Sequence, residues 1–274
     1  MKVYISVDAE GVAGISDWDQ CIAGGDDYQL GRELMLGEVN AAIDGAVEAG
    51  ATQILINDSH SLMRNLPPGD LGGHASYLSG RFKPLYMMEG LDPSYDVALF
   101  LGYHAAMPTP GVLSHTYNPR AIANVTLNGT VTGEAGINAL VALAHGVPVE
   151  VITGDQYVGP EAAPFCPGIN VIEVKTSISR YAAEHLHPHI AQQRIREGVF
   201  QHLSDPSAGP PVMHLPATLE VQLMSPDMAE QATWLAGVER VATTSVRFSD
   251  DDPLRLYRTF MTLVFLTRSL VETR

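Results

Sequence analysis

Three short apolar runs constrain the fold of this chain more than any other feature. Residues 2–7, 53–57 and 97–101 (KVYISV, QILIN and VALFL) are each apolar almost throughout. Runs of this length that are buried on both faces suit the strands of a parallel sheet covered by helices. Between the first two, residues 28–49 carry Leu30, Leu34, Val39, Ile43 and Val47 at roughly helical spacing, and Gly50 offers a stop. This alternation predicts an α/β fold, a mainly parallel sheet flanked by helices.

At 274 residues, the chain is long enough for one large domain or two small ones. Apolar residues at 46% against charged residues at 17% exclude an intrinsically disordered chain. In the middle, residues 122–127, Asn128-Gly129 and residues 130–132 read as a hairpin, because Asn-Gly favours a type I′ turn. A helix over 134–145 opens at Gly133, and strands follow at 149–153 and 170–175, with Pro160, Pro164 and Pro167 in a loop between them. The polar stretch 179–203 reads as one long helix, and 204–211 (SDPSAGPP) as a linker. Beyond it, strands at 218–224 and 238–248 are expected to pair antiparallel around a helix near 228–235, with a closing helix from Pro253 to about Val271. The expected division is a metal-binding catalytic domain over 1–205 and a smaller C-terminal α+β part over 212–274. That second part would serve as substrate wall or assembly module.

Lysine and arginine total 16 and aspartate and glutamate 31, a formal net charge of −15. This argues against binding to nucleic acid or an anionic membrane surface, and is compatible with cationic ligands. Cys21 and Cys166 cannot make a disulfide framework, so reduced thiols and a cytoplasmic location are expected. The apolar run 259–267, between Arg258 and Arg268, falls well short of the ~20 residues of a membrane span. The N-terminal run ends at Asp8 and reads as a strand, not as a signal peptide.

The chemistry concentrates where the apolar runs end. Asp8 and Glu10 follow the first run, and in extended chain they face the same way. His60 follows the second run in Asn57-Asp58-Ser59-His60, and His104 the third in Gly102-Tyr103-His104. Alone, Asp8 could cap a turn, and a single histidine after a strand is more often structural than a ligand. Asp58 could orient a histidine or cap the next segment. Three strands delivering metal-capable side chains to one sheet edge is what a metal site needs. Glu134 opens the helix after the hairpin, where a carboxylate is also favoured by the helix dipole. His115 lies in a Pro/Gly-rich loop, a place for a general base. His185, His187 and His189 alternate around Pro188 and read as surface residues. Three carboxylates and two histidines suit two zinc ions with one bridging carboxylate, or manganese in the same place. No G-x-S-x-G elbow supports a serine triad.

These residues, with Met88-Glu89-Gly90-Leu91 and Val174-Lys175-Thr176, resemble in order and spacing the self-compartmentalising zinc D-aminopeptidases found beside bacterial dipeptide-transport genes. The resemblance covers essentially the whole chain. It implies two Zn2+ per subunit, with Asp8, Glu10, His60, His104 and Glu134 as ligands, Asp8 bridging, and His115 as the catalytic histidine. It also implies a homo-oligomer, a decamer of two stacked five-fold rings, and removal of an N-terminal D-residue such as D-alanine from short peptides. A metal-activated hydroxide would attack the scissile carbonyl, with His115 as base or direct nucleophile. Two other readings stand beside this one. A dinuclear phosphoesterase would need basic residues near the metals, and only Arg64, Lys83 and Arg120 are near the motifs in sequence. A non-catalytic metal-stabilised binding protein would need no His115.

Overall fold

In the computed structural model, which describes residues 1–271, the strands pair into a six-stranded sheet, a five-stranded sheet and a two-stranded hairpin. The first stretch of chain supplies β1 (Lys2–Val7), α1 (Tyr28–Glu48), β2 (Gln53–Asp58), β3 (Ser76–Leu78) and β4 (Val97–Leu101). A hairpin of β5 (Ile122–Leu127) and β6 (Thr130–Val131) follows, then α2 (Glu134–His145), β7 (Val149–Gly154), α3 (Val158–Ala162) and β8 (Asn170–Glu173). A second hairpin, β9 (Lys175–Ser179) and β10 (Ala182–His185), leads into α4 (Pro188–Ser204). The remainder forms β11 (Ala217–Leu223), α5 (Pro226–Ala232), β12 (Glu239–Arg240), β13 (Ser245–Asp250) and α6 (Pro253–Thr267).

Six strands pair in the order β3-β2-β1-β4-β7-β8, all parallel, and five pair antiparallel in the order β12-β13-β11-β5-β6. The expected α/β class is therefore what forms. Because side chains alternate along a strand, the parallel sheet divides its core in two. Val3, Ile5 and Val7 of β1 and Leu99 of β4 pack with Val39 and Ile43 of α1 and Ile195 and Val199 of α4. Tyr4 and Phe100 face the other way, toward Leu140 of α2, Leu219 of β11 and Phe260 of α6. Residues Glu134–Ala142 of α2 are all buried, since the helix has the parallel sheet on one side and the second core on the other.

The structure departs from the sequence expectations in several places. Pro160, expected in a loop, lies in the short helix α3, and the strand expected over 170–175 ends at Glu173, with Lys175 opening β9. The helix expected over 179–203 starts only at Pro188, which sits in the first turn with His187 as its cap. A proline lacks the N–H needed inside a helix but fits its start, and the residues before it pair as β9 and β10. The strand expected over 238–248 is broken by a turn in which Val241 N–H donates to Ser245 O, leaving β12 and β13. The antiparallel sheet also draws β5 and β6 from before the 204–211 linker and β11 to β13 from after it. Of the 212–274 segment, residues 272–274 lie outside the described residues. Among the described residues, no helix is long and apolar enough to cross a membrane.

Candidate metal centre

The order β2-β1-β4 places the ends of the three apolar runs side by side, where the chain changes direction across the sheet. Ligands of open α/β sheets bind beyond the carboxyl ends of the strands at such a point. Two glycines let the ends close up. Gly11 N–H donates to Gly102 O at 2.7 Å, and a Cβ on Gly11 would lie 2.0 Å from Tyr103 O. Gly102 has φ +67°, and a Cβ there would lie 2.2 Å from Asp8 O. Only glycine permits both the approach and that backbone conformation.

All six predicted residues meet at this edge and all are buried, His115 being the most exposed at 7%. Asp8 spans the group: its Oδ1 lies 2.9 Å from His60 Nδ1 and its Oδ2 3.4 Å from His104 Nε2. Glu10 Oε2 lies 3.0 Å from His60 Nδ1, and Glu134 Oε1 3.4 Å from His104 Nε2. His115 Nε2 stands 3.7 Å from Glu134 and 3.9 Å from Glu10. Its ring stacks on His104 at 4.2 Å and meets the edge of Trp18 at 5.2 Å.

Backbone carbonyls set the tautomer of each histidine. His60 Nε2–H donates to Cys21 O at 2.8 Å, His104 Nδ1–H to Ala105 O at 3.0 Å, and His115 Nδ1–H to Leu113 O at 2.9 Å. The other ring nitrogen of each then faces the carboxylates, the side on which a proton or a metal would be held. Three atoms at the centre, Asp8 Oδ2, Glu10 Oε2 and His104 Nε2, are buried without a hydrogen-bond partner among the described residues. Buried polar atoms left without a partner are costly unless something fills the space between them. Asp8, His104 and Glu134 converge closely enough to hold one ion, and so do Glu10, His104 and His115. Glu10 and His60 also converge with Cys21, whose thiol burial pushes up out of the reactive range.

Burial favours the neutral form of His60 and His104, but Glu10 and Glu134 respectively, with Asp8, outweigh it and hold both pKa values well above the ordinary one. Burial likewise opposes ionisation of Asp8, yet His104 and His60 keep its carboxyl well below the usual range. His115 goes the other way. Burial and then the neighbouring His104 lower its pKa, which leaves it neutral and able to take a proton.

Several side chains support this site in roles that their sequence positions do not reveal. Lys175 is buried and its Nζ donates to Glu10 O, Val12 O and Ile15 O, bracing the turn that carries Glu10. Glu38 accepts from Ala13 N–H in the same turn. Lys83 Nζ donates to Asn57 Oδ1 and Asp58 O, at the end of β2 just before His60. Glu161 accepts from Ala106 N–H at 2.8 Å and from Gly133 N–H at 2.7 Å, tying the loop of His104 to the helix start of Glu134. Asp58 accepts from the amides of Asn65 and Leu66, so it caps the following turn and orients no histidine. The His115 loop is an enclosed one, held by Asp155 through Val112 N–H. His185, expected at the surface, is half-buried, and its Nδ1 accepts from Gly14 N–H at 3.0 Å.

A mixed carboxylate–imidazole pocket at the carboxyl edge of a parallel sheet, with a neutral histidine facing it, defines a metal-dependent hydrolase site. The family model described as D-aminopeptidase (peptidase M55) matches residues 1–262. The D-aminopeptidase of Bacillus subtilis is 36% identical over 268 residues, covering 97% of both chains. A solved structure described as the Zn-dependent D-aminopeptidase DppA from Bacillus subtilis, a self-compartmentalizing protease, superposes with TM-score 0.93 at 36% identity, covering 98% of both chains. The chain belongs to the M55 D-aminopeptidase family.

Proposed function

We propose that this chain is a zinc-dependent aminopeptidase with two Zn2+ per subunit, removing an N-terminal residue, D-alanine or another D-residue preferred, from short peptides. The observation that carries the proposal is Asp8, whose two oxygens face His60 on one side and His104 on the other. Asp8 would bridge, with Glu10 and His60 completing one ion's protein ligands and His104 and Glu134 the other's. The orphaned Asp8 Oδ2, Glu10 Oε2 and His104 Nε2 fit that role. Bound zinc would act as Lewis acid toward the scissile carbonyl and lower the pKa of water in the site.

The chain's own part is to place and move a proton. Leu113 O holds Nδ1–H of His115, so Nε2 carries the free lone pair. From there Nε2 takes the proton of the attacking water and returns it to the departing amine. Used directly as nucleophile, the same lone pair would serve equally. Trp18 and His104 clamp the ring on two sides, which fixes its direction.

Assembly as a homo-oligomer, a decamer of two five-fold rings, would cover large apolar side chains that stand exposed here, among them Trp234 at 73% and Ile178 at 75%. Arg268 and Val271 on the cavity wall support a substrate-wall role for residues 212–274, beside a catalytic part over 1–205. Two buried free cysteines are in keeping with a cytoplasmic enzyme.

The test pairs metal content with turnover. Zinc-loaded protein is assayed on D- and L-alanyl dipeptides and on phosphate monoesters, alongside His115→Ala. About two zinc ions per chain, hydrolysis favouring the D-substrate, and a roughly 10²–10⁴-fold fall in kcat with metals retained in the variant are expected. Turnover of phosphate esters alone, or metal without any turnover, would overturn the reading.

A further inference from the structure

A cavity of about 790 Å3 opens over the metal centre, with Asp8, Glu10, His60, His115 and Glu134 on its lining. Apart from those residues its charged side chains are Asp19 and four arginines, Arg81, Arg120, Arg180 and Arg268. Four of the chain's sixteen lysines and arginines thus line one cavity of a molecule whose net charge is −15. They arrive on four separate segments: the loop after β3, the loop before β5, the β9–β10 turn, and the single turn after α6.

Elsewhere Arg196, Arg240, Arg247 and Arg255 each pair with a carboxylate. Among the described residues the four cavity arginines do not. Arg268 is held by neutral groups, donating to Tyr86 Oη at 3.2 Å and lying 4.9 Å over the Phe265 ring. Arg180 Nε is buried with no hydrogen-bond partner. Its own carbonyl accepts from Leu113 N–H at 2.8 Å, two residues from His115, so the β9–β10 turn is fixed against the catalytic loop. Asp8, Glu10 and Glu134 belong to the metal centre, so an anion that enters beside them meets the arginines as unpaired forked donors suited to a carboxylate.

We propose that Arg120 and Arg180, assisted by Arg81 and Arg268, form a subsite for the terminal carboxylate of the peptide substrate. The subsite selects short peptides with a free C-terminus and places the scissile bond over the metal centre. This rests on the aminopeptidase reading and adds to it a specificity determinant for the leaving side. The local charge of the cavity wall, not the acidic balance of the whole chain, would then decide which substrates enter.

The test compares D-alanyl-D-alanine with its C-terminal amide on zinc-loaded wild type, Arg120→Gln, Arg180→Gln and the double variant. Melting temperature and zinc content serve as checks of fold. Wild type should show a KM roughly ten-fold or more lower for the free acid, since a charge-assisted contact is worth about that factor. The acid-to-amide preference in kcat/KM should collapse toward one in the double variant, while turnover of the amide changes much less than that of the acid. Equal KM for acid and amide in wild type, or a preference that survives both substitutions, overturns the subsite. Should neither compound be hydrolysed, the aminopeptidase reading fails on its own, and calorimetric binding of acid and amide to the His115→Ala protein decides the subsite separately. Tighter binding of the acid that disappears with the arginines supports it, and binding indifferent to the carboxylate or absent overturns it.

Discussion

Replacing Lys175 by methionine isolates how much of the metal edge depends on one buried cation. The side chain is 3% exposed and spends all three ammonium protons on carbonyls of one turn, those of Glu10, Val12 and Ile15. Methionine keeps the unbranched shape and removes the donor. Glu10 O and Ile15 O then lose the bond from Lys175, at about 1–3 kcal/mol each, while Val12 O keeps the one it accepts from Ile15 N–H. Against that, the ammonium no longer has to be desolvated, a cost visible in its pKa, which burial lowers to about 8. Glu38 loses a cation, but burial has already raised its pKa to about 7, so it can take up a proton instead of standing as an unpaired charge. The net expected loss is about 3–5 kcal/mol, a large share of the ~5–15 kcal/mol that holds a typical domain together. Because the freed turn carries Glu10, zinc affinity should fall roughly 10–100-fold as well, the usual effect of losing a group that orients a ligand. Lys175→Arg should not rescue, since a planar fork cannot converge on three carbonyls of one tight turn. Urea denaturation of the metal-free protein measures the first quantity and zinc titration against a competing chelator the second. A metal-free stability within about 1 kcal/mol of wild type together with unchanged zinc affinity would show that the three bonds are incidental.

Three further outcomes follow from the same geometry. Gly11→Ala would drive a Cβ to 2.0 Å from Tyr103 O, so a loss of about 2–4 kcal/mol and weaker zinc binding are expected by denaturation and metal titration. Glu161→Gln keeps one acceptor where two amides, Ala106 and Gly133, need one each; zinc should weaken about ten-fold at the His104–Glu134 side only, which a biphasic titration resolves and a uniform weakening contradicts. In the metal-free protein His60 and His104 have raised pKa values, so their stabilising contribution is present in acid and is lost as pH rises through those values. Zinc must displace the same protons, so its affinity should climb with pH, releasing up to about two protons per chain. Calorimetry in buffers of different ionisation enthalpy reads that release directly, and a buffer-independent enthalpy would refute it.

What could be foreseen from the chain and what could not follow a physical line. Asp8, Glu10, His60 and His104 were visible because each stands just past a run of apolar residues, and a parallel sheet aligns those ends without further information. The roles of Lys175 and Glu161 are not legible, although Lys175 stands in Val174-Lys175-Thr176, and both touch the site's backbone as closely as its side chains touch one another. Their partners are carbonyls and amides, which every residue carries, and Lys175 lies 165 positions from Glu10. The stretch 179–203 misled because its polar composition suits a helix throughout, while Pro188 alone marks where one can begin. The four cavity arginines escaped for a similar reason. Only Arg120 is near a motif in sequence; of the other two basic residues picked out there, Lys83 turns inward to β2, and Arg64 is not part of the cavity lining.

The centre contains three carboxylates and two imidazoles that face one another, and this composition has a consequence for how such a chain can fold before it meets a metal. Three unpaired buried carboxylates would be prohibitive. With His60 and His104 protonated, two of the three charges are balanced inside the site, and the backbone carbonyls of Cys21 and Ala105 already hold the rings in the orientation a metal requires. On the proposed ligand assignment, protons would hold the places of bound metal, and loading would exchange one for the other. His115 is excluded from that exchange. Stacked on a cationic His104, it is pushed toward its neutral form. If His104 holds metal as proposed, the metal would keep a positive charge beside His115 and would favour its neutral form as the proton on His104 does.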